Sequence, residues 1–81
     1  MITKLTLYPE SDGMYIQFTN KAFAYGKNLD DKRHIFFAAD DTPIGIDLMN
    51  VSGGVDTTDL PERKAIEEVL KRHNIKVFAP G

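Results

Sequence analysis

Two pairs of adjacent carboxylates, Asp30-Asp31 and Asp40-Asp41, have the residue types that acid–base catalysis or cation binding would need. Both fall between apolar stretches, where Asp is common because its side chain bonds its own backbone, and the spacing expects turns there rather than a site. A calcium loop needs oxygen ligands at alternate positions, then glycine, then a distal Glu, and no stretch of the chain has that pattern. The two histidines, His34 and His73, each lack a second histidine or a carboxylate at ligand spacing, so no metal centre is expected. His34 gains a chemical role only if folding brings a partner beside it. Ser11 lies in a turn, and Ser52 lacks the preceding glycine of a nucleophile elbow. No constellation of nucleophile, base and stabiliser emerges, and the chain is expected to be neither an enzyme nor a cofactor carrier.

Ser52-Gly53-Gly54, leading towards a helix, is the one stretch with a trace of phosphate-loop character. A phosphate loop also needs Lys followed by Ser or Thr, whereas Asp56 and Asp59 place negative charge where the phosphate would sit. A hinge that lets the chain turn from sheet to helix explains the glycines at lower cost. A small-ligand or nucleotide site using Ser52 to Asp59, with Ser52, Gly53 and Gly54 as its loop, remains the alternative reading.

The elements that must position these residues follow from hydropathy periodicity. Ile2 to Tyr8 alternates and is expected as a strand. Pro9 to Gly13 is a turn with Gly13 free to take a positive φ, and Met14, Ile16 and Phe18 then form the core face of a second strand, leaving Tyr15 at the rim. Ala22 to Lys27, Arg33 to Ala38 and Ile44 to Met49 read as three further strands, with a turn at 40–43 because Pro43 cannot donate to a ladder. Asp59 as N-cap with Glu62 three residues on forms a capping box, and Pro61 suits the first turn of a helix over 60–74. Ala65, Ile66, Val69 and Leu70 are its apolar stripe, and Asn74 is placed to end it in a left-handed conformation. Ile75 to Ala79, stopped by Pro80, is a last strand. It could pair beside its predecessor in the sheet, beside the first strand, or with a second copy.

The expected fold is therefore α+β: an antiparallel β-meander of about five short strands over 1–52, a hinge over 53–59, one C-terminal helix packed on one face, and a short last strand over 75–79, all in one domain. At 81 residues with 42% hydrophobic and 27% charged residues, the chain has the balance of a globular domain. It contains no cysteine, which excludes a disulfide framework, a thiolate metal site and a cysteine nucleophile. The start Met1 to Tyr8 alternates and carries Lys4, unlike a signal peptide, and no run approaches the roughly 18 apolar residues of a membrane span. A cytoplasmic location is the expectation. Ten Lys and Arg against twelve Asp and Glu give a net charge of −2, which disfavours nucleic acid as a partner.

Eight aromatic residues are many for so small a sheet. Phe36 and Phe37 are neighbours in one strand and must point to opposite faces, while a single helix covers only one of them. An uncovered aromatic face implies a protein partner or a homodimer. Tyr15, Phe36 and Phe37 are the candidate interaction residues.

Asp12-Gly13-Met14-Tyr15-Ile16, then Gly45-Ile46-Asp47-Leu48-Met49 and Ser52, resembles a prokaryotic family of small proteins of unknown function. That family looks like an Asp-Ala-Leu-Tyr-Ile hairpin strand followed by a Gly-Ile-Glu-Ile-Leu strand and a closing Ser. The match covers about Leu5 to Ser52; Asp47 stands for the usual Glu, and Leu60 to Gly81 extends beyond the common core. The resemblance implies no catalytic residues, and it implies an antitoxin-like or accessory role. The expected function is a non-enzymatic protein–protein interaction module.

Overall fold

The computed structural model describes residues 2–78. Strands β1 (Lys4–Tyr8), β2 (Gly13–Gln17), β3 (Tyr25–Asn28), β4 (Arg33–Phe37) and β5 (Pro43–Leu48) form one antiparallel sheet. A single 3-10 turn (Val51–Gly53), strand β6 (Val55–Asp56), helix α1 (Arg63–Arg72) and strand β7 (Val77–Phe78) follow. This is the α+β architecture that the periodicity implies. Among the described residues no helix is long and apolar enough to cross a membrane. Ala79 and Pro80, the expected end of the last strand, lie outside the described residues.

The sheet order is β1-β2-β5-β4-β3. Each hairpin of a meander is present except the link from β2 to β3, because β5 inserts between β2 and β4. Apolarity explains the insertion: Ile44, Gly45, Ile46 and Leu48 are all buried, so β5 gains most from having a neighbour on each side. The edges go to β1 and β3, which carry Lys4 and Lys27, and β3 is exposed along its whole length. Lysine on an edge strand also discourages further pairing. Ile46 at the centre faces Ile16 on one side and Ile35 on the other. A register shift between Phe36 and Phe37 lets Pro43 open β5 rather than end the preceding turn, which a proline tolerates as the first residue of a strand beside a bulge.

Met14, Ile16 and Phe18 all point into the core as their alternation requires, joined by Ile35, Ile46 and Leu48 and capped by Ile66 and Leu70 of α1. Among the described residues no helix lies on the opposite face. The left-handed residue of the first turn is Asp12, at φ 56°, and not Gly13. Asp tolerates this region because its short side chain can bond locally.

Helix α1 starts later than the capping box implies. Asp59 and Glu62 both take left-handed φ angles, of 64° and 54°, and the Leu60 N–H bonds Thr57 O in a turn. Pro61 is the cause: the residue before a proline is pushed out of the α region, so Leu60 cannot join the helix and Asp59 cannot cap it. Glu62 occupies the N-cap and makes no capping bond with its side chain. The other end behaves as its sequence requires. Asn74 is left-handed at φ 58°, its N–H reaches Lys71 O at 3.0 Å, and the Ile75 N–H reaches Leu70 O at 2.8 Å, the two bonds of a Schellman motif.

The last strand takes neither of the two places in the main sheet open to it on sequence. It pairs in parallel with β6, Val55 opposite Val77 and Asp56 opposite Phe78, so the supposed hinge contains a strand of its own. Arg33 binds this small ladder to the sheet, donating from Nε to Asp30 and from one terminal nitrogen to Asp56 O and Thr58 O at 3.0 and 2.6 Å.

The adjacent carboxylates are turn residues. Asp30 accepts from the Lys32 N–H at 2.9 Å, and Asp40 accepts from the Thr42 N–H at 3.1 Å and from Lys21 Nζ at 2.7 Å. The Lys21 ammonium, then Thr42, hold Asp40 well below the usual carboxylate range. Asp56 is lowered by the Thr58 N–H, and Glu67 by the Thr57 hydroxyl and then Arg63; for Asp30 the hydrogen bonds from Lys32 and Arg33 outweigh the upward push of burial. A carboxyl lowered on folding contributes stability that is present above its unfolded value and lost as pH falls through its folded value. Urea midpoints are therefore expected to hold steady from neutrality down to about pH 5 and to fall below about pH 4. Lys21→Met is expected to flatten that fall, because it removes the main cause of the lowering at Asp40.

Candidate functional site

The sheet register places a set of side chains on the helix-free face. Thr6 of β1, Tyr15 of β2, Asp47 of β5, His34 of β4 and Asn28 of β3 lie in one cross-strand row. Lys4, Gln17, Gly45, Phe36 and Gly26 form the next. Glycine at Gly45 and Gly26 leaves troughs that the aromatic rings occupy. A methyl group at Gly45 would lie 2.6 Å from the Tyr15 hydroxyl oxygen, so the Tyr15 ring crosses directly over that strand. Phe36 lies over Gly26, with ring atoms 3.5 Å from where a Cβ would stand.

The rings form a continuous line. Phe23 meets Phe36 edge-on at 5.8 Å between centroids, and Phe36 meets Tyr15 at 6.1 Å with planes 53° apart. Tyr8 borders the same depression as Tyr15 and Phe36. Burial first, then Tyr8 and Asp47, raise the Tyr15 phenol above its ordinary range. This surface stays open to solvent at Phe23, 63% exposed, and at Tyr8, 47% exposed.

Of the three candidate interaction residues, Tyr15 and Phe36 are brought together on this face. Phe37 lies on the other, stacked on Tyr25 at 5.0 Å and packed against the core. Phe36 and Phe37 thus do point to opposite faces, and each is partly covered by an aromatic neighbour. Tyr25 in turn donates to Asp41, a bond that raises its phenol.

The Ser52 loop is organised by the protein itself. The Ser52 N–H donates to the Asp12 carboxylate at 3.1 Å and its hydroxyl to the same group at 2.6 Å, while the Val51 N–H bonds Asp12 O. The two donors an anion would use are engaged by an internal anion. Gly54 has φ 103° and ψ 159°, a conformation that is nearly glycine's alone, and the Phe78 ring fills the space beside it. Gly53 faces open space. Both border a cavity of about 180 Å³ with Asn50, Asp56, Arg33 and Phe78, smaller than the 300 Å³ or so at which small-molecule sites begin.

Strands β2 and β5 and the Ser52 loop are one structural unit: Met14 and Ile16 pair with Leu48 and Ile46, and Asp12 holds Ser52. Among the described residues no group of three or more His, Asp or Glu side chains is arranged to hold a metal ion. Asp47 is the residue of this face that sequence reasoning missed. Its alternation with Ile46 and Leu48 pointed it away from the core, but only the register sets it between Tyr15 and His34. Comparison with protein-family models, curated proteins and solved structures finds no match to this chain.

Proposed function

We propose that this protein is a non-enzymatic interaction module whose helix-free sheet face, centred on Tyr15 and Phe36, is covered by a protein partner. The observation that carries this reading is the line Phe23, Phe36 and Tyr15, with Tyr8 beside it at one depression, aromatic surface with no element of the described chain over it. Polar groups surround it, namely Lys4, Thr6, Asn28 and His34, as at surfaces that bind proteins. The antitoxin-like or accessory use implied by the family resemblance belongs to the same reading. The ligand-loop alternative draws less support, since the Ser52 donors are engaged by Asp12.

Two neighbouring substitutions test it. Phe37→Ser removes a ring packed on Tyr25 and the core, and is expected to cost about 1–2 kcal/mol in urea unfolding. Phe36→Ser is expected to cost about 1 kcal/mol or less, the scale of its ring contacts, and to abolish association measured by light scattering and by capture from the native host. Association unchanged by Phe36→Ser would remove the open face as the binding surface.

A further inference from the structure

We propose that the depression between Tyr8, Tyr15, Phe36 and Asp47 seats a basic side chain, so that the protein partner covering the open face presents a lysine or arginine there. The inference rests on the interaction reading and adds the chemistry of the partner at one point. Tyr8, Ser11, Tyr15, Phe36, Asp47 and Met49 border a depression of about 490 Å³, wide enough for a guanidinium or ammonium group and its stem.

Asp47 decides the sign of the occupant. It is half-buried in the central strand and, among the described residues, has no hydrogen-bond or ion-pair partner; His34, its cross-strand neighbour, does not bond it. Several cations are engaged elsewhere: Lys21 on Asp40, Arg33 on Asp30, Arg63 on Glu67, and Lys76 over the Phe78 ring. A partner that covered this face with apolar groups alone would bury a carboxylate without compensation, which is costly. One that brought a cation would pair it. An acidic segment or a phosphate would meet repulsion.

The rings favour the same occupant. An aromatic face is electron-rich and attracts a cation within about 6 Å of its centroid, an arginine above all. Tyr15 and Phe36 are tilted at 53° and do not stack on each other, so ring faces remain for such a contact, and among the described residues the one cation placed over a ring is Lys76 at Phe78. Met49 adds a polarisable wall suited to an alkyl stem.

The test is a titration of the full chain, followed by amide NMR, with acetyl-Ala-Arg-Ala-amide, its lysine counterpart, and acetyl-Ala-Glu-Ala-amide as control. Saturable shifts at Tyr15, Phe36 and Asp47 are expected with the two basic peptides and not with the acidic one. Asp47→Asn is expected to weaken basic-peptide binding about tenfold while leaving the urea midpoint unchanged, since the side chain makes no bond that folding needs. The proposal is overturned if the acidic peptide shifts the same residues as strongly, if the basic peptides give no saturable shift, or if D47N binds them as tightly. Loss of partner association in Phe36→Ser alongside unchanged association in D47N would leave the interface standing and remove the cation seat. Unchanged association in both would remove the interface itself.

Discussion

Replacing Ile46 by alanine is expected to cost about 2–5 kcal/mol, the range for truncating a fully buried aliphatic side chain. Ile46 has no exposed surface, lies in the central strand between Ile16 and Ile35, and belongs to the cluster closed by Ile66 and Leu70. A sheet with one helix has little material with which to collapse into the cavity left behind. For a chain of 81 residues the total stability is of the order of 4–12 kcal/mol, so this one substitution removes a large share of it. Urea unfolding followed by circular dichroism measures the effect: the midpoint should fall sharply with the slope unchanged. A loss below about 1 kcal/mol would mean that Ile46 is not at the centre of the core.

Gly45→Val is expected to cost about 3 kcal/mol or more, at or above the upper end of ordinary overpacking. The new Cβ alone would stand 2.6 Å from the Tyr15 hydroxyl oxygen and 2.8 Å from Ile16 O. The tyrosine could swing aside, but the carbonyl belongs to the paired backbone of β2 and cannot move without opening the β2–β5 ladder. The damage would therefore be double, a weakened sheet and a displaced Tyr15. Gly26→Ala is the control. Its Cβ would meet the Phe36 ring at 3.5 Å, an ordinary contact, and a change within about 0.5 kcal/mol is expected. Equal losses at the two glycines would contradict the close crossing of Tyr15 over β5.

Which parts of this fold the sequence discloses depends on whether local or distant contacts decide them. The β1–β2 hairpin and its core residues Met14, Ile16 and Phe18 follow from period-two alternation and a polar turn. The left-handed Asn74 follows from local backbone chemistry as well. The helix start misleads because two local signals compete: Asp59 and Glu62 carry the pattern of a capping box, while Pro61 forbids Leu60 the helical conformation, and the proline wins. The insertion of β5 between β2 and β4 is decided by burial across the whole sheet. The β6–β7 ladder is only two residues long on each side, too short for any periodicity to register.

The candidate face divides in the same way. Neighbouring Phe36 and Phe37 announce two opposite sheet faces, and Tyr15 alternates away from the core, so an aromatic surface can be read in advance. What alternation cannot supply is which strands lie side by side. Asp47 meets Tyr15 and His34 only because β5 lies between β2 and β4, and that register converts a lone acid in an apolar strand into the charged wall of an aromatic depression.

Hydroxyl-radical footprinting of the aromatic residues, carried out on the purified chain and again inside the cells that express it naturally, tests the central claim most directly. A covered open face predicts that Tyr8, Tyr15 and Phe36 are modified in the purified chain and protected in the cell, while Tyr25 and Phe78, which lie elsewhere, react alike in both. Equal modification of Tyr8, Tyr15 and Phe36 in the two settings would contradict the account.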